Sequence, residues 1–205
     1  SESVKGTPGP HPRRQALNVL RARGRSIAPV ADPRSSCGYA RGTAWSPSTM
    51  TIRLHLPDAE STEHAGAALA TALHGGLVIT LAGDLGAGKT TLVRGVLRAL
   101  GWTGRVKSPT YTLVEYYPFS SLYLYHFDFY RFNDRYEWEE AGFREYFNPD
   151  SICIVEWPEK AGDLLPTADI QIFLEIVDSG RRLVIRAGTD TGNQCLEKLK
   201  NQIHM

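Results

Sequence analysis

The chain has 205 residues, 42 % of them hydrophobic and 22 % charged, which suits one globular domain with a full core and leaves little room for a second. Its apolar runs fall short of the roughly 18–20 residues that span a bilayer, and Cys37, Cys153 and Cys195 form no CxxC pair, so neither a membrane helix, a disulfide framework nor a zinc site is expected. The net charge of +1 divides unevenly, with +6 on residues 1–50 and −5 on residues 51–205, so the body of the chain is mildly acidic and a poor direct partner for nucleic acid.

Residues 1–49 are rich in Pro, Gly, Ser and Arg and carry no sustained hydrophobic period. Such a stretch cannot bury enough apolar surface to offset its ordering entropy, and it is predicted to be a disordered basic leader. Arg13, Arg14, Arg21, Arg23 and Arg25 suit a nucleic-acid arm or an organelle-targeting leader. A non-native extension is the third reading, because Met50 stands directly before the first strand-like segment. No apolar stretch follows the charges, as a secretory signal would require.

The domain is predicted over residues 50–205. Ile52, Leu54 and Leu56 alternate with polar residues, the pattern of a half-buried strand. Asp58 opens helix-start chemistry over 58–62, and an Ala-rich helix is predicted over 65–73, closed by Gly75 and Gly76. A buried strand follows over 77–82, then a glycine loop over 83–88, then a helix over 90–100 closed by Gly101. Strands are predicted over 113–117 and 122–127, and a helix between Asp134 and Ala141. Residues 152–155 are apolar throughout, as in a sheet centre covered on both faces. An antiparallel pair, 170–177 with 182–185, turns at Asp178, Ser179 and Gly180. A helix over 196–203 ends the chain. The mixture predicts an α/β three-layer domain with a mixed central sheet.

One motif carries chemistry. Gly83-Asp84-Leu85-Gly86-Ala87-Gly88-Lys89-Thr90 fits GxxxxGK[ST], between a predicted strand and a predicted helix. Glycines let the backbone curl so that successive N–H groups face phosphate oxygens, and the following helix presents its positive end. Lys89 would reach the β and γ phosphates, and the Thr90 hydroxyl would ligate Mg²⁺. With Gly at about 7 % of residues in proteins generally, a chance match is roughly a 1 % event. The loop is therefore read as the ATP and Mg²⁺ site of a P-loop NTPase-like domain.

Such a site needs a carboxylate near the metal, where an apolar strand ends. Glu156 follows 152–155 and Asp128 follows 122–127. Ligands gather beyond the carboxyl ends of strands in an open α/β sheet, so either acid could face the phosphates or be merely a solvated strand end. Ser108-Pro109-Thr110-Tyr111-Thr112 reads either as a switch loop sensing the γ phosphate or as an ordinary connection. Trp157 reads either as a nucleotide neighbour or as a core residue. A guanine-reading NKxD, a GxSxG elbow and an HExxH helix are all absent from the sequence.

Four ordered blocks together resemble the TsaE family, also called YjeE. They are the loop through Thr91; Lys107-Ser108-Pro109-Thr110-Tyr111-Thr112-Leu113-Val114-Glu115; His126-Phe127-Asp128-Phe129-Tyr130-Arg131; and Glu156-Trp157-Pro158. The resemblance covers about residues 51–205. It implies a cytoplasmic Mg²⁺-dependent ATPase that acts with TsaB and TsaD in threonylcarbamoylation of adenosine 37 of tRNA, meeting tRNA only through that complex. It further implies that Lys89 and the loop backbone with Thr91 bind the triphosphate, and that Thr90 and Glu156 hold Mg²⁺. Residues 108–113, with Ser108 and Thr110, would be a first switch, Asp128 the acid needed for hydrolysis, and Trp157 a nucleotide neighbour. Thr62 and Arg181 align with further nucleotide contacts. The leader has no counterpart in the family pattern, Phe129 and Phe132 stand where Leu is usual, and residues 135–138 depart from its acidic text. Turnover is expected to be slow in isolation, because no arginine finger is assured within the chain: Arg131 is a candidate but reads better as half of a structural ion pair, and a partner-supplied group could complete the site. A small-molecule kinase using the same loop is the alternative, with the region from Arg131 to Arg144 as its lid. A nucleotide-gated binding subunit with negligible turnover is a third reading.

Overall fold

The structure, a computed structural model, describes residues 49–132 and 134–204. The expected basic leader lies, apart from Thr49, outside the described residues. Strand β1 (Thr51–Leu56) leads into helix α1 (Ala59–Ala70). Asp58 caps α1, its carboxylate accepting from the Ser61 amide at 2.7 Å and the Ser61 hydroxyl at 2.6 Å. The helix ends three residues short of the predicted limit. There the Thr71 hydroxyl donates to the Ala68 carbonyl at 2.7 Å, taking up a terminal acceptor. Strand β2 (Val78–Ala82) feeds the glycine loop, and helix α2 (Lys89–Leu100) runs between two left-handed glycines, Gly88 and Gly101.

Strands β3 (Val114–Pro118) and β4 (Tyr123–Asp128) follow, then the short helix α3 (Arg135–Glu140) and a 3-10 turn at Phe143–Tyr146. Leu113, predicted to start β3, instead adopts φ 61°. Its amide bonds back to the Pro109 carbonyl at 2.7 Å, and its own carbonyl accepts from the Asp128 amide at 3.0 Å. Strand β5 (Ser151–Glu156) is buried along its whole length. The short α4 (Pro158–Ala161), a 3-10 turn at Gly162–Leu164, and the hairpin of β6 (Ile170–Val177) and β7 (Gly180–Ala187) complete the sheet. Helix α5 (Asp190–His204) begins six residues before its predicted start. Thr189 accounts for the difference: its hydroxyl accepts from the Gly192 amide at 3.1 Å and donates to Asp169 at 2.6 Å, capping the extra turn.

The seven strands form one sheet in the order β1-β7-β6-β2-β5-β4-β3. The central strands β6, β2, β5 and β4 are parallel, and antiparallel pairs close both sides. The α/β class and mixed sheet expected from the sequence are observed. Strand alternation gives the two faces different cores. Leu124, Ile152, Ile154, Ile79, Leu81 and Ile172 point to an aliphatic side packed under α1, α2 and α5. Phe127, Cys153 and Val155 point to an aromatic side with Phe129, Trp138 and Phe143, under short helices and loops. Phe127 lies at the centre of that second core, with its ring centroid 5.5–5.9 Å from those of Phe129, Phe143, Tyr146 and Phe147, spacings that favour aromatic packing.

Helices α1 and α2 cross backbone to backbone. A Cβ on Gly66 would fall on the Leu92 carbonyl oxygen, and one on Gly95 would fall on that of Glu63. These two positions admit only glycine while the crossing keeps its geometry. No described helix is long and apolar enough to cross a membrane.

Candidate phosphate and metal site

The parallel register brings the chemistry together. Asp128 pairs with Glu156 across β4 and β5, and Glu156 pairs with Leu81 across β5 and β2. Glu156 therefore ends the strand beside the one that feeds the glycine loop, and Asp128 ends the next strand out, both at the carboxyl edge where α/β sheets bind ligands. Between them lies a cleft of about 300 Å³ lined by Leu85, Gly86, Gly88, Lys89, Thr90, Thr91, Ser108, Thr110, Asp128, Tyr130, Glu156 and Trp157.

The loop is curled as its glycines allow. Gly83, Gly86 and Gly88 have φ of 144°, 80° and 106°, a region that other residues enter only with strain. Arg181 braces it from β7, donating from Nε to the Ala87 carbonyl at 2.8 Å. Thr62 stands beside Gly88 from α1, but its hydroxyl donates to the Asp58 carbonyl at 3.0 Å. Arg181 thus bonds the loop and Thr62 stands against it, and neither is among the residues lining the cleft.

Lys89 is buried, with Nζ donating to the Gly83 carbonyl at 2.7 Å and the Asp84 carbonyl at 2.9 Å, and lying 4.0 Å from the centre of the Trp157 ring. Burial pushes its pKa below the ordinary 10.5, against the opposing pull of Glu156, Asp128, Glu159 and Asp84. Trp157 holds its place over Lys89 in a left-handed conformation, φ 57°, and packs against Tyr130 with centroids 5.0 Å apart. A non-glycine residue there stores roughly 1–3 kcal/mol of strain, which the packing must offset.

The two acids have different partners. Glu156 Oε1 accepts from the Thr90 hydroxyl at 2.8 Å and faces His126 Nε2 at 2.9 Å. Asp128 Oδ2 accepts from Ser108 and from Thr110, the latter at 2.8 Å, while Oδ1 accepts from the Tyr130 amide at 3.0 Å. Thr90 and Glu156 supply hard oxygen donors of the kind that bind Mg²⁺ with few protein ligands. The curled amides and the ammonium supply an anion cradle. The residues present therefore fit a magnesium polyphosphate.

The structure thus gathers the sequence-predicted loop, Thr91, Ser108, Thr110, Asp128, Glu156 and Trp157 around one cleft. Two neighbours of this cleft carried no role in the sequence reading. Tyr130 lines it, and His126 is fully buried against Glu156. Strand alternation was the available signal for the second, since His126 and Asp128 are two apart and so share a face of β4.

The chain is similar to known proteins. A family model described as the threonylcarbamoyl adenosine biosynthesis protein TsaE matches residues 56–184. The chain is similar to the tRNA threonylcarbamoyladenosine biosynthesis protein TsaE of Haemophilus influenzae, 48 % identical over 125 residues, which are 61 % of this chain and 79 % of the relative. The protein of the same name from Bacillus subtilis is 45 % identical over 100 residues, 49 % of this chain and 62 % of the relative. Among solved structures, Bacillus subtilis YdiB superposes with a TM-score of 0.64 at 31 % identity, covering 76 % of this chain and 98 % of YdiB.

Proposed function

The chain belongs to the TsaE family, and on that premise we propose that it is a Mg²⁺-dependent ATPase serving threonylcarbamoylation of adenosine 37 in tRNA, together with TsaB and TsaD. The observation that carries the reading is the curled loop of residues 83–90 beside Glu156, with Lys89, Thr90 and two strand-end acids around one cleft. The names of its relatives support the pathway.

Loop amides and the Lys89 ammonium hold the β and γ phosphates and take up the charge that develops on the β–γ bridge. To do so, Lys89 exchanges the Gly83 and Asp84 carbonyls for phosphate oxygens. Their full negative charge favours its protonated form and offsets the cost of its burial. Thr90 and Glu156 would hold Mg²⁺, which would neutralise phosphate charge as the bridge breaks. Trp157 shields the ammonium from water. Asp128 has both carboxylate oxygens engaged, and through Ser108 and Thr110 it holds residues 108–113 against the cleft. Hydrolysis by the isolated chain is slow, and a group supplied by the partner complex completes the site.

Calorimetry on Lys89→Ala is the direct test, with ATP binding expected to disappear; retained affinity would remove the loop from the site. For the assembly, phosphate release is measured with and without TsaB and TsaD, and tRNA modification is reconstituted with and without this chain. Indifference of both readouts sinks the pathway reading while leaving nucleotide binding intact.

A further inference from the structure

His126 stands on β4 facing α1, α2 and α5, where its neighbours in the alternation are Leu124 and Asp128. It is fully buried, and Nε2 meets Glu156 Oε1 at 2.9 Å with both side chains out of solvent. Nδ1 is buried too and has no hydrogen-bond partner among the described residues. Leu124 shows that a purely apolar side chain suits this face. An imidazole here leaves one ring nitrogen unsatisfied for the sake of a single contact, which is a poor exchange if the residue only fills space.

The contact is informative because of what else Glu156 touches. Oε1 is held from two sides, by the Thr90 hydroxyl from the first turn of α2 and by His126 from β4. Two donors on one oxygen stop the carboxylate rotating and so set where Oε2 stands. Oε2 has no hydrogen-bond partner among the described residues, and Glu156 lines the cleft beside Lys89. To bond a carboxylate, Nε2 must carry a ring proton. Thr90 belongs to the cleft and offers its lone pairs to whatever binds there. His126 is the anchor of Glu156 that lies outside the cleft.

We propose that His126 is a positioning residue, which fixes the Glu156 carboxylate so that its second oxygen is presented to the metal of a bound nucleotide. Partners of this kind behind a metal-binding side chain typically change metal affinity 10- to 100-fold when removed. The proposal rests on the reading of the cleft as a magnesium nucleotide site, and its test separates the two.

The full chain is titrated by calorimetry with a non-hydrolysable ATP analogue at a series of Mg²⁺ concentrations, with thermal melting as a control for folding. In His126→Leu the Mg²⁺ needed for half-maximal enhancement of binding rises by about tenfold, while analogue affinity without Mg²⁺ stays at the wild-type value. His126→Gln places an amide donor where Nε2 stands and recovers most of the loss; His126→Asn, whose amide reaches only as far as Nδ1, does not. A wild-type Mg²⁺ requirement in His126→Leu, alongside a raised one in Glu156→Ala, overturns the proposal and spares the site. If His126→Leu does not fold, the Gln and Asn variants decide, and equal Mg²⁺ requirements in those two overturn it. An unchanged requirement in Glu156→Ala, or no analogue binding by the wild-type chain, removes the reading of the site and the proposal with it.

Discussion

Glu156 and Asp128 end neighbouring strands, in register and facing the same cleft, yet the two strand ends are built differently. At the end of β5, Glu156 is tied to α2 and to β4, which are regular elements with buried faces. At the end of β4, Asp128 is tied to Ser108 and Thr110, which belong to a connection with no regular structure. Two carboxylates of equal charge and similar depth can thus do different jobs, one fixed to the scaffold and the other fastening a segment that can come away. Segments held mainly by side-chain hydrogen bonds open at lower free energy than packed strands and helices.

Replacing each acid breaks this contrast most sharply. Glu156→Ala and Asp128→Ala are both expected to lower ATP turnover, measured as phosphate release in the presence of TsaB and TsaD, by about two orders of magnitude or more. They should differ in binding: Glu156→Ala loses the Mg²⁺ enhancement of nucleotide affinity and Asp128→Ala keeps it. Identical binding behaviour in the two variants would erase the distinction.

A second effect, of about tenfold, concerns motion. Asp128→Ala unfastens residues 108–113, so amide hydrogen exchange there should accelerate by at least that factor, since each lost hydrogen bond to a charged group is worth about 1.5–3 kcal/mol. Exchange in α2 should not change. Smaller still are the single hydroxyl deletions. Ser108→Ala and Thr110→Val each leave one donor on Asp128 Oδ2, so an acceleration of exchange short of that in Asp128→Ala is expected from either, and more from both together.

The last test probes the rigid strand alone, and its readout is gradual. Cys153 lies inside β5, with Sγ 3.3 Å from the Tyr146 carbonyl, and burial pushes its thiol from 9.0 up to about 12. Its folded pKa is raised, so the stabilisation from keeping the thiol protonated is complete below about pH 9. It is lost as pH rises towards 12. Denaturant unfolding of wild type should therefore weaken over that window, and Cys153→Ala should show a flatter profile there. Parallel profiles would mean that the thiol does not titrate with unfolding.

Much of this was legible from the residues. The loop of 83–90 is a local motif, complete within eight successive positions, and the strands around it announce themselves by burial and alternation. The candidate acids were legible because a strand end is a local feature too. Their different partners were not, since the approach of His126 to Glu156 depends on the parallel register of β4 and β5 across 30 residues of chain. Helix α5 was underestimated because its cap, Thr189, draws on Asp169, 20 residues away. Leu113 read as a strand residue because its side chain is apolar, while its backbone is committed to Pro109 and Asp128. Hydrogen bonds to specific partners, most of them distant in sequence, decided these cases, and residue type alone does not encode them.

The crossing of Gly66 and Gly95 limits how this molecule can breathe. Main chain already meets main chain there, with no flexible side chain between to yield. Helix α2, which begins at Lys89, can hardly rock or slide against α1 when a nucleotide arrives or leaves. That wall of the cleft behaves as an anvil. Whatever travel the proposed ATP turnover demands must be taken up opposite, by the hydroxyl-bearing segment fastened to Asp128.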